Sequence, residues 1–143
     1  MNLPAKIEYA FKAVLELTVR YGSDSPVQLN TISESQGIPK KFLTQLLLRL
    51  KNANIVNSSR GIAGGYNLTR PPSQISLADV FRAIDEDMLE IPKKTKSIKA
   101  ADADKLILRI WGEISRQTVK QLERITFDRL AADLKSEQLT YYI

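Results

Sequence analysis

Basic side chains gather in one stretch of the chain that contains no acidic residue. Six lysines and arginines stand between Glu34 and Asp79, where no Asp or Glu occurs: Lys40, Lys41, Arg49, Lys51, Arg60 and Arg70. Such side chains bind phosphate groups through charge and hydrogen bonds. The net charge of +5 is modest, but its uneven placement favours a phosphate-bearing partner such as nucleic acid over a merely solvated basic surface.

The residue types that support most catalysis and metal binding are absent. The sequence contains neither Cys nor His, which excludes thiolate chemistry, disulfides, imidazole acid–base chemistry and the usual zinc sites. It also lacks the Gly-x-Ser-x-Gly elbow, the Gly-x-x-x-x-Gly-Lys phosphate loop and the dinucleotide fingerprint. A carboxylate-metal hydrolase would need clustered acids, which the basic interval does not contain. We therefore expect that the protein is not an enzyme.

The hydropathy pattern does not predict membrane insertion or export. No run of about 18 apolar residues could span a bilayer, and no charged-then-apolar leader is evident. With 43% hydrophobic residues in 143, the chain can build one core. We expect a soluble cytoplasmic protein without a membrane partner, folded as one compact domain with or without an oligomerising extension.

The elements that must position the basic residues begin with two helices. Apolar residues recur at helical spacing after Pro4, which predicts an amphipathic first helix. A helix of about two turns follows, which Asn30 or Thr31 can cap; Thr31 stands in capping-box register with Glu34. Gly37 is predicted to end this second helix.

A third helix, opened by Pro39, is predicted to expose a polar face near its N-terminus. Its apolar stripe consists of Phe42, Leu43, Leu46, Leu47 and Leu50. Its outer side holds Lys40, Lys41, Thr44 and Gln45. A short helix, a glycine-containing turn and a longer helix together predict a helix-turn-helix, although any hairpin of two helices could produce the same pattern.

A β-hairpin, which we call the wing, is predicted directly behind this helix-turn-helix. Ile55 and Val56 lead into its first strand, and Tyr66 and Leu68 alternate with polar residues in the second. The connection contains three glycines, Gly61, Gly64 and Gly65.

The glycines are suited to a slim loop that carries Arg60. They permit positive φ, and the missing Cβ atoms of Gly64 and Gly65 let the loop lie close against another surface. Such a loop can place an arginine in a DNA minor groove while the preceding helix occupies the adjacent major groove. An ordinary glycine-rich hairpin with one surface arginine is the alternative, but the position behind a helix-turn-helix favours DNA.

The rest of the chain predicts three further helices. Ser76 and Asp79 stand in capping-box register for a helix that we expect to pack under the wing. The 86–104 stretch is polar and lysine-rich, which is typical of a mobile loop. A helix of about 20 residues begins near Asp104. Thr126 is predicted to cap a last short helix that ends at Leu134.

The long helix carries an apolar stripe: Ile107, Ile110, Trp111, Ile114 and Leu122. This stripe could belong to the core of a single chain. A helix that extends past a small winged domain usually needs a second copy to bury its apolar face, so we expect a symmetric homodimer. The predicted fold is mainly α with a small β-hairpin: a winged helix-turn-helix DNA-binding domain at 1–86, a loop at 87–104, and dimerisation and C-terminal helices at 105–143.

A set of ordered motifs resembles one known family. The motifs are Tyr9-Ala10 with Ala13 and the segments 29–38, 42–47, 59–61, 64–68, 70–71, 75–77 and 79–80. They resemble the Rrf2 family of winged-helix bacterial transcriptional regulators, which includes IscR-like iron–sulfur regulators. The resemblance implies a homodimer on a roughly palindromic operator, with the third helix in the major groove and Arg60 in the minor groove. It also implies a repressor or an activator, depending on where the operator lies.

The resemblance and the charge pattern together predict a set of DNA-binding residues. The principal ones are Lys40, Lys41, Thr44, Gln45 and Arg60 with Gly61, Gly64 and Gly65; the lesser phosphate candidates are Lys51, Arg70 and Lys6. Thr44 stands where many family members have a glutamate that helps to select bases. A hydroxyl can donate or accept whereas a carboxylate only accepts, so the operator sequence does not transfer. A winged helix that docks onto an acidic protein is the alternative function.

A second departure from the family concerns its cofactor. Cluster-binding members place three cysteines in the region that corresponds to 86–104, and this chain has none. Because iron–sulfur clusters are held by cysteine thiolates, with histidine as the usual substitute, we predict no cluster and no metal. The 86–104 loop could instead close over a small-molecule effector, contact another protein, or do neither.

Overall fold

Helices and one small hairpin build the part of the chain that the computed structural model describes, residues 1–91 and 101–141. The helices are α1 (Ala5–Val19), α2 (Leu29–Gln36), α3 (Lys40–Asn52), α4 (Leu77–Ile84), α5 (Asp102–Arg124) and α6 (Phe127–Tyr141). The strands are β1 (Val56–Ser59) and β2 (Gly65–Leu68), which pair antiparallel. Two 3-10 turns cover Pro72–Gln74 and Glu86–Leu89. No helix in the described ranges is long and apolar enough to cross a membrane.

The helix-turn-helix forms as predicted, except at the start of α2. Gly37 ends α2 in the left-handed conformation, with φ +64°. However, α2 begins at Leu29 after Gln28, and no side chain caps it, so the capping box of Thr31 and Glu34 is wrong. The preceding Val27 exchanges two backbone hydrogen bonds with Tyr66, at 2.9 and 2.8 Å, and this pairing sets where the chain enters the helix.

The buried face of α3 is narrower than its apolar stripe. Leu43, Leu46, Leu47 and Leu50 are all buried against the other helices. Phe42 was predicted to join them, but it is 54% exposed. The four leucines already fill the inner face, and the Phe42 ring lies at its edge against Tyr9 of α1, with 6.4 Å between ring centroids.

The wing is a short hairpin anchored to the core at its base. Val56 pairs with Leu68, and both side chains are buried. The register runs outward to Ser59 opposite Gly65, where the connecting loop begins. The alternation of apolar and polar residues predicted this hairpin correctly.

The capping box of Ser76 and Asp79 starts α4 as predicted, but α4 does not pack under the wing. It packs against α1, α3 and α5. Its Phe81 ring lies 6.3 Å from Phe11 of α1, measured between centroids. Its apolar residues Val80, Phe81 and Ile84 belong to the helical core.

The C-terminal helix is part of the same core. Phe127 is completely buried, and its ring lies 6.2 Å from Phe11. Backbone hydrogen bonds of 2.9 and 3.0 Å join the α5–α6 junction to the start of α4. The predicted end at Leu134 is wrong: α6 continues to Tyr141, since no Gly or Pro interrupts it. Nine of the nineteen residues in the predicted 86–104 loop, from 92 to 100, lie outside the described residues.

Candidate nucleic-acid interface

The outer face of α3 consists of Lys40, Lys41, Thr44 and Gln45, and all four side chains are exposed. The four buried leucines fix the rotation of the helix, so its polar side must face solvent. Thr44 Oγ1 donates a hydrogen bond to the Lys40 carbonyl at 2.9 Å. Its proton is therefore engaged within the helix, which leaves the oxygen lone pairs available to accept from a ligand.

Arg60 lies in the loop that joins the two wing strands, and its side chain is exposed. Gly61 adopts φ +102°, a conformation that L-residues rarely enter. A Cβ on Gly64 would lie 2.4 Å from the Ser59 carbonyl oxygen. One on Gly65 would lie 2.5 Å from the Val27 carbonyl oxygen. The glycines therefore let the wing pack against the chain's own backbone, which holds Arg60 at the end of a thin projection.

The loop of the wing is connected to the start of α2. Gln28 Nε2 donates a hydrogen bond to the Ile62 carbonyl at 3.3 Å, and Gln28 also lines a groove together with Asn30 and Arg60. The first turn of α2 has no side-chain cap and borders the same groove. This bond is a link between the helix-turn-helix and the wing that the sequence pattern did not indicate, because its partners are 34 residues apart.

Three of the predicted phosphate contacts are engaged inside the molecule. Lys51 Nζ donates to Ser58 Oγ at 2.8 Å, which joins the end of α3 to β1. Lys6 forms an ion pair with Asp85, and that pair lowers the pKa of the Asp85 carboxyl below its ordinary value.

Arg70 is the most constrained of the three. Its guanidinium donates to the carbonyls of Gln74 at 2.9 Å and Asn54 at 3.1 Å, and it lies 3.5 Å from Asp79 Oδ2. In contrast, no hydrogen bond or ion pair among the described residues involves the side chains of Lys40, Lys41 or Arg60. Within the acid-free interval from Glu34 to Asp79, the basic groups without a partner among the described residues are therefore those of the outer face of α3 and of the wing loop.

A buried carboxylate holds α2 in place against α1. Glu16 is 7% exposed, and it accepts hydrogen bonds from Arg20 at 2.7 Å, Gln36 at 2.8 Å and Ser35 at 3.0 Å. Burial alone would raise the pKa of Glu16, but these hydrogen bonds and the charge of Arg20 together lower it below its ordinary value. Two of the donors lie at the end of α2, so this carboxylate sets where the turn into α3 begins.

Replacing Glu16 with alanine is expected to lower the free energy of unfolding by about 2 kcal/mol, since hydrogen bonds to a charged group are lost. Its contribution is present above the ordinary carboxyl pKa and is lost as pH falls through the lowered pKa of the folded state. Denaturant unfolding of both proteins at several acidic pH values measures this. Glu8→Ala, which removes the exposed partner of Lys12, is the control and should cost less than about 1 kcal/mol. Equal losses for the two variants would contradict the role of Glu16.

A helix-turn-helix with an exposed polar face, followed by a β-hairpin, defines the winged helix-turn-helix class of proteins. Within that class, the chain belongs to the Rrf2 family: the family model, described as an iron-dependent transcriptional regulator, matches residues 3–133.

Relatives and solved structures agree with this assignment. One relative is slr0846 of Synechocystis sp., whose name describes an HTH-type transcriptional regulator. The two sequences are 36% identical over 140 residues, which cover 96% of this chain and 92% of that protein. The structure of T. potens IscR matches 96% of this chain and 91% of its own, with TM-score 0.78 and 28% identity. CymR, titled the global cysteine regulator of B. subtilis, matches 92% of this chain and 97% of its own, with TM-score 0.70 and 27% identity. The predicted fold class is confirmed, and the protein is a transcriptional regulator and not an enzyme.

The donor set of this chain does not fit the metal that the family description implies. The whole sequence has no thiolate and no imidazole to offer. Among residues 1–91 and 101–141, no group of three or more carboxylates comes together where it could hold an ion. The side chains needed for an iron–sulfur cluster are therefore missing from the chain itself.

Proposed function

We propose that this regulator binds a roughly palindromic DNA operator as a homodimer, with α3 in the major groove and the wing in the adjacent minor groove. One observation carries the proposal: the exposed outer face of α3 and the exposed Arg60 are linked through the Gln28–Ile62 and Lys51–Ser58 hydrogen bonds. A helix and a loop held together in this way can enter neighbouring grooves as one unit. In this proposal residues 1–86 bind DNA, and residues 105–143 form the dimer.

The free basic and polar groups have distinct roles in this proposal. Lys41, Thr44 and Gln45 contact base edges, and Lys40 contacts a phosphate near the start of α3. Arg60 enters the minor groove, where the negative potential favours a guanidinium. Lys51, Arg70 and Lys6 are secondary, because each must keep or exchange an intramolecular partner.

The dimer forms through α5 in this proposal. Ile107, Ile110, Trp111 and Ile114 are exposed, with Ile107 at 65% and Trp111 at 57%. Together they make an exposed apolar stripe on a helix that also packs on α4. Leu122 differs, since it packs partly against the protein's own core. Water contact along such a stripe is unfavourable, and a second copy related by two-fold symmetry would remove it.

We also propose that the regulator works without an iron–sulfur cluster, since its side chains supply neither thiolate nor imidazole. Its signal would then be a small molecule or a protein. Repression or activation depends on where the operator lies relative to the promoter.

Incubation of purified protein with fragmented genomic DNA, followed by sequencing of the bound fraction, tests the proposed function. We expect enrichment of promoter fragments that share one inverted repeat. A winged helix that instead docks onto an acidic protein would enrich no recurrent sequence, and that outcome would overturn the proposal.

The salt dependence of operator binding gives a second test. A plot of the logarithm of the binding constant against the logarithm of the salt concentration should have a negative slope of about −0.9 for each phosphate neutralised. Lys40→Ala should therefore make the slope of a dimer shallower by about 1.8, since one contact is lost from each protomer. Fluorescence anisotropy across a salt series measures the slope. Lys135→Ala, an exposed lysine on α6, is the control and should leave the slope unchanged; an unchanged slope for Lys40→Ala would remove that residue from the interface.

A further inference from the structure

One apolar side chain lies within the polar outer face of α3. Leu48 is 58% exposed, although four other leucines of the same helix are buried. It follows Gln45 by three residues and Thr44 by four, so the three side chains share one face of the helix. It also lies two turns after Lys41, on the line that the proposed base contacts follow.

The fold does not account for this leucine. The core is filled by Leu43, Leu46, Leu47 and Leu50, and Leu48 is not among the residues that pack against it. A hydrocarbon side chain can neither donate nor accept a hydrogen bond, so it gains nothing from water or from a phosphate. It gains free energy only by contacting another apolar group.

The major groove of DNA offers one such group, the C5-methyl of thymine. The polar groups at the base edges there are hydrogen-bond donors or acceptors, and the C5–H of cytosine is smaller than a methyl group. We propose that Leu48 contacts a thymine methyl in each half-site and thereby determines specificity at that base pair. This inference rests on the proposed binding of α3 in the major groove.

The expected effect follows from the size of the contact. Removing one methyl group from the contact should weaken binding by about fourfold per half-site, which corresponds to the burial of roughly one CH₂-sized group. With both half-sites altered, the loss should be about 15-fold.

Uracil substitution isolates the methyl group, because uracil keeps the pairing edge of thymine and lacks only the C5-methyl. In the enriched operator, each thymine is replaced in turn by uracil in both half-sites, and the affinity is measured for three proteins. The unaltered protein should lose about 15-fold at one position. Leu48→Ala should bind the thymine and uracil operators equally. Leu139→Ala removes a leucine of matched exposure, 59%, from α6 and should retain the full difference.

The outcomes separate this inference from the proposed function. Specific binding in which no thymine is sensitive, or in which Leu48→Ala keeps the same sensitivity, would overturn the role of Leu48 and leave operator binding intact. Failure to enrich any operator in the first place would overturn both. Because Leu48 is exposed, Leu48→Ala should unfold at the same temperature as the parent protein, which thermal unfolding verifies.

Discussion

Replacing Arg60 with alanine is expected to weaken operator binding by about 1 to 3 kcal/mol, or roughly 5- to 150-fold, while the proposed dimer stays folded. The guanidinium is exposed at the end of the wing, where no described residue pairs with it. In a minor groove the guanidinium would exchange its bound water for contacts with the groove, where the negative potential is strong. Its removal costs that attraction without disturbing any contact inside the protein.

Two further variants make the Arg60 result specific. Arg60→Lys keeps the charge but loses the planar guanidinium, so it should recover part of the affinity only. Arg129→Ala removes the same charge from an exposed position on α6, outside the proposed interface, and should change operator affinity less than twofold, because salt screens exposed charges that do not contact the DNA. Electrophoretic mobility shifts with the enriched operator measure all three. An Arg60→Ala protein that binds as tightly as the parent would assign the wing another role.

The close packing of the wing backbone matters for the size of this effect. Gly64 and Gly65 lie so close to the backbone of Ser59 and Val27 that a Cβ at either position would collide with it. A backbone that already holds its bound arrangement loses little conformational entropy on binding, so more of the interaction energy appears as affinity. The sequence predicted that Gly64 and Gly65 let the loop lie close against another surface, and in the fold they lie close against the chain's own backbone.

The sequence predicted those features of the fold that depend on neighbouring residues. The period of the leucines in α3, the left-handed Gly37 and the box of Ser76 with Asp79 are all local patterns, and each prediction was correct. The hairpin was predicted in the same way, from the alternation of apolar and polar residues in the strands that pair Val56 with Leu68.

The errors arose where a distant segment decided the local structure. Val27 pairs with Tyr66, which lies 39 positions away, and this pairing displaced the predicted start of α2. Phe42 fits the stripe of α3 by spacing, but the leucines leave it only an edge contact with Tyr9. No spacing rule could reveal these outcomes, since they depend on tertiary packing.

The residues of the candidate site also divide into those that the sequence could identify and those that only tertiary contacts reveal. Lys40, Lys41 and Arg60 could be selected by charge, but only the structure separates them from Lys51 and Arg70, whose partners lie up to 16 residues away. Glu16 and Leu48 were missed for opposite reasons. A single acid in an amphipathic helix looks like a surface charge, and a leucine beside other leucines looks like core.

Replacing Ile110 with glutamate is expected to convert the proposed dimer into monomers and to reduce operator affinity by at least about 100-fold, because the gain from binding two half-sites together is lost. In a two-fold symmetric interface each substitution appears twice, so two carboxylates would be buried without partners. The cost of an unpaired buried charge is about 3 to 5 kcal/mol, comparable to what a small apolar interface contributes.

The protomer itself should tolerate this change, since Ile110 is 43% exposed and faces away from the core. Circular dichroism and thermal unfolding should therefore resemble those of the parent, whereas sedimentation velocity should report half the mass. Lys105→Glu places the same carboxylate on the opposite side of α5 and should leave the dimer intact. If Ile110→Glu also remained dimeric, the two copies would have to meet through a surface other than α5, and the spacing of the two α3 helices on the operator would follow from that surface instead.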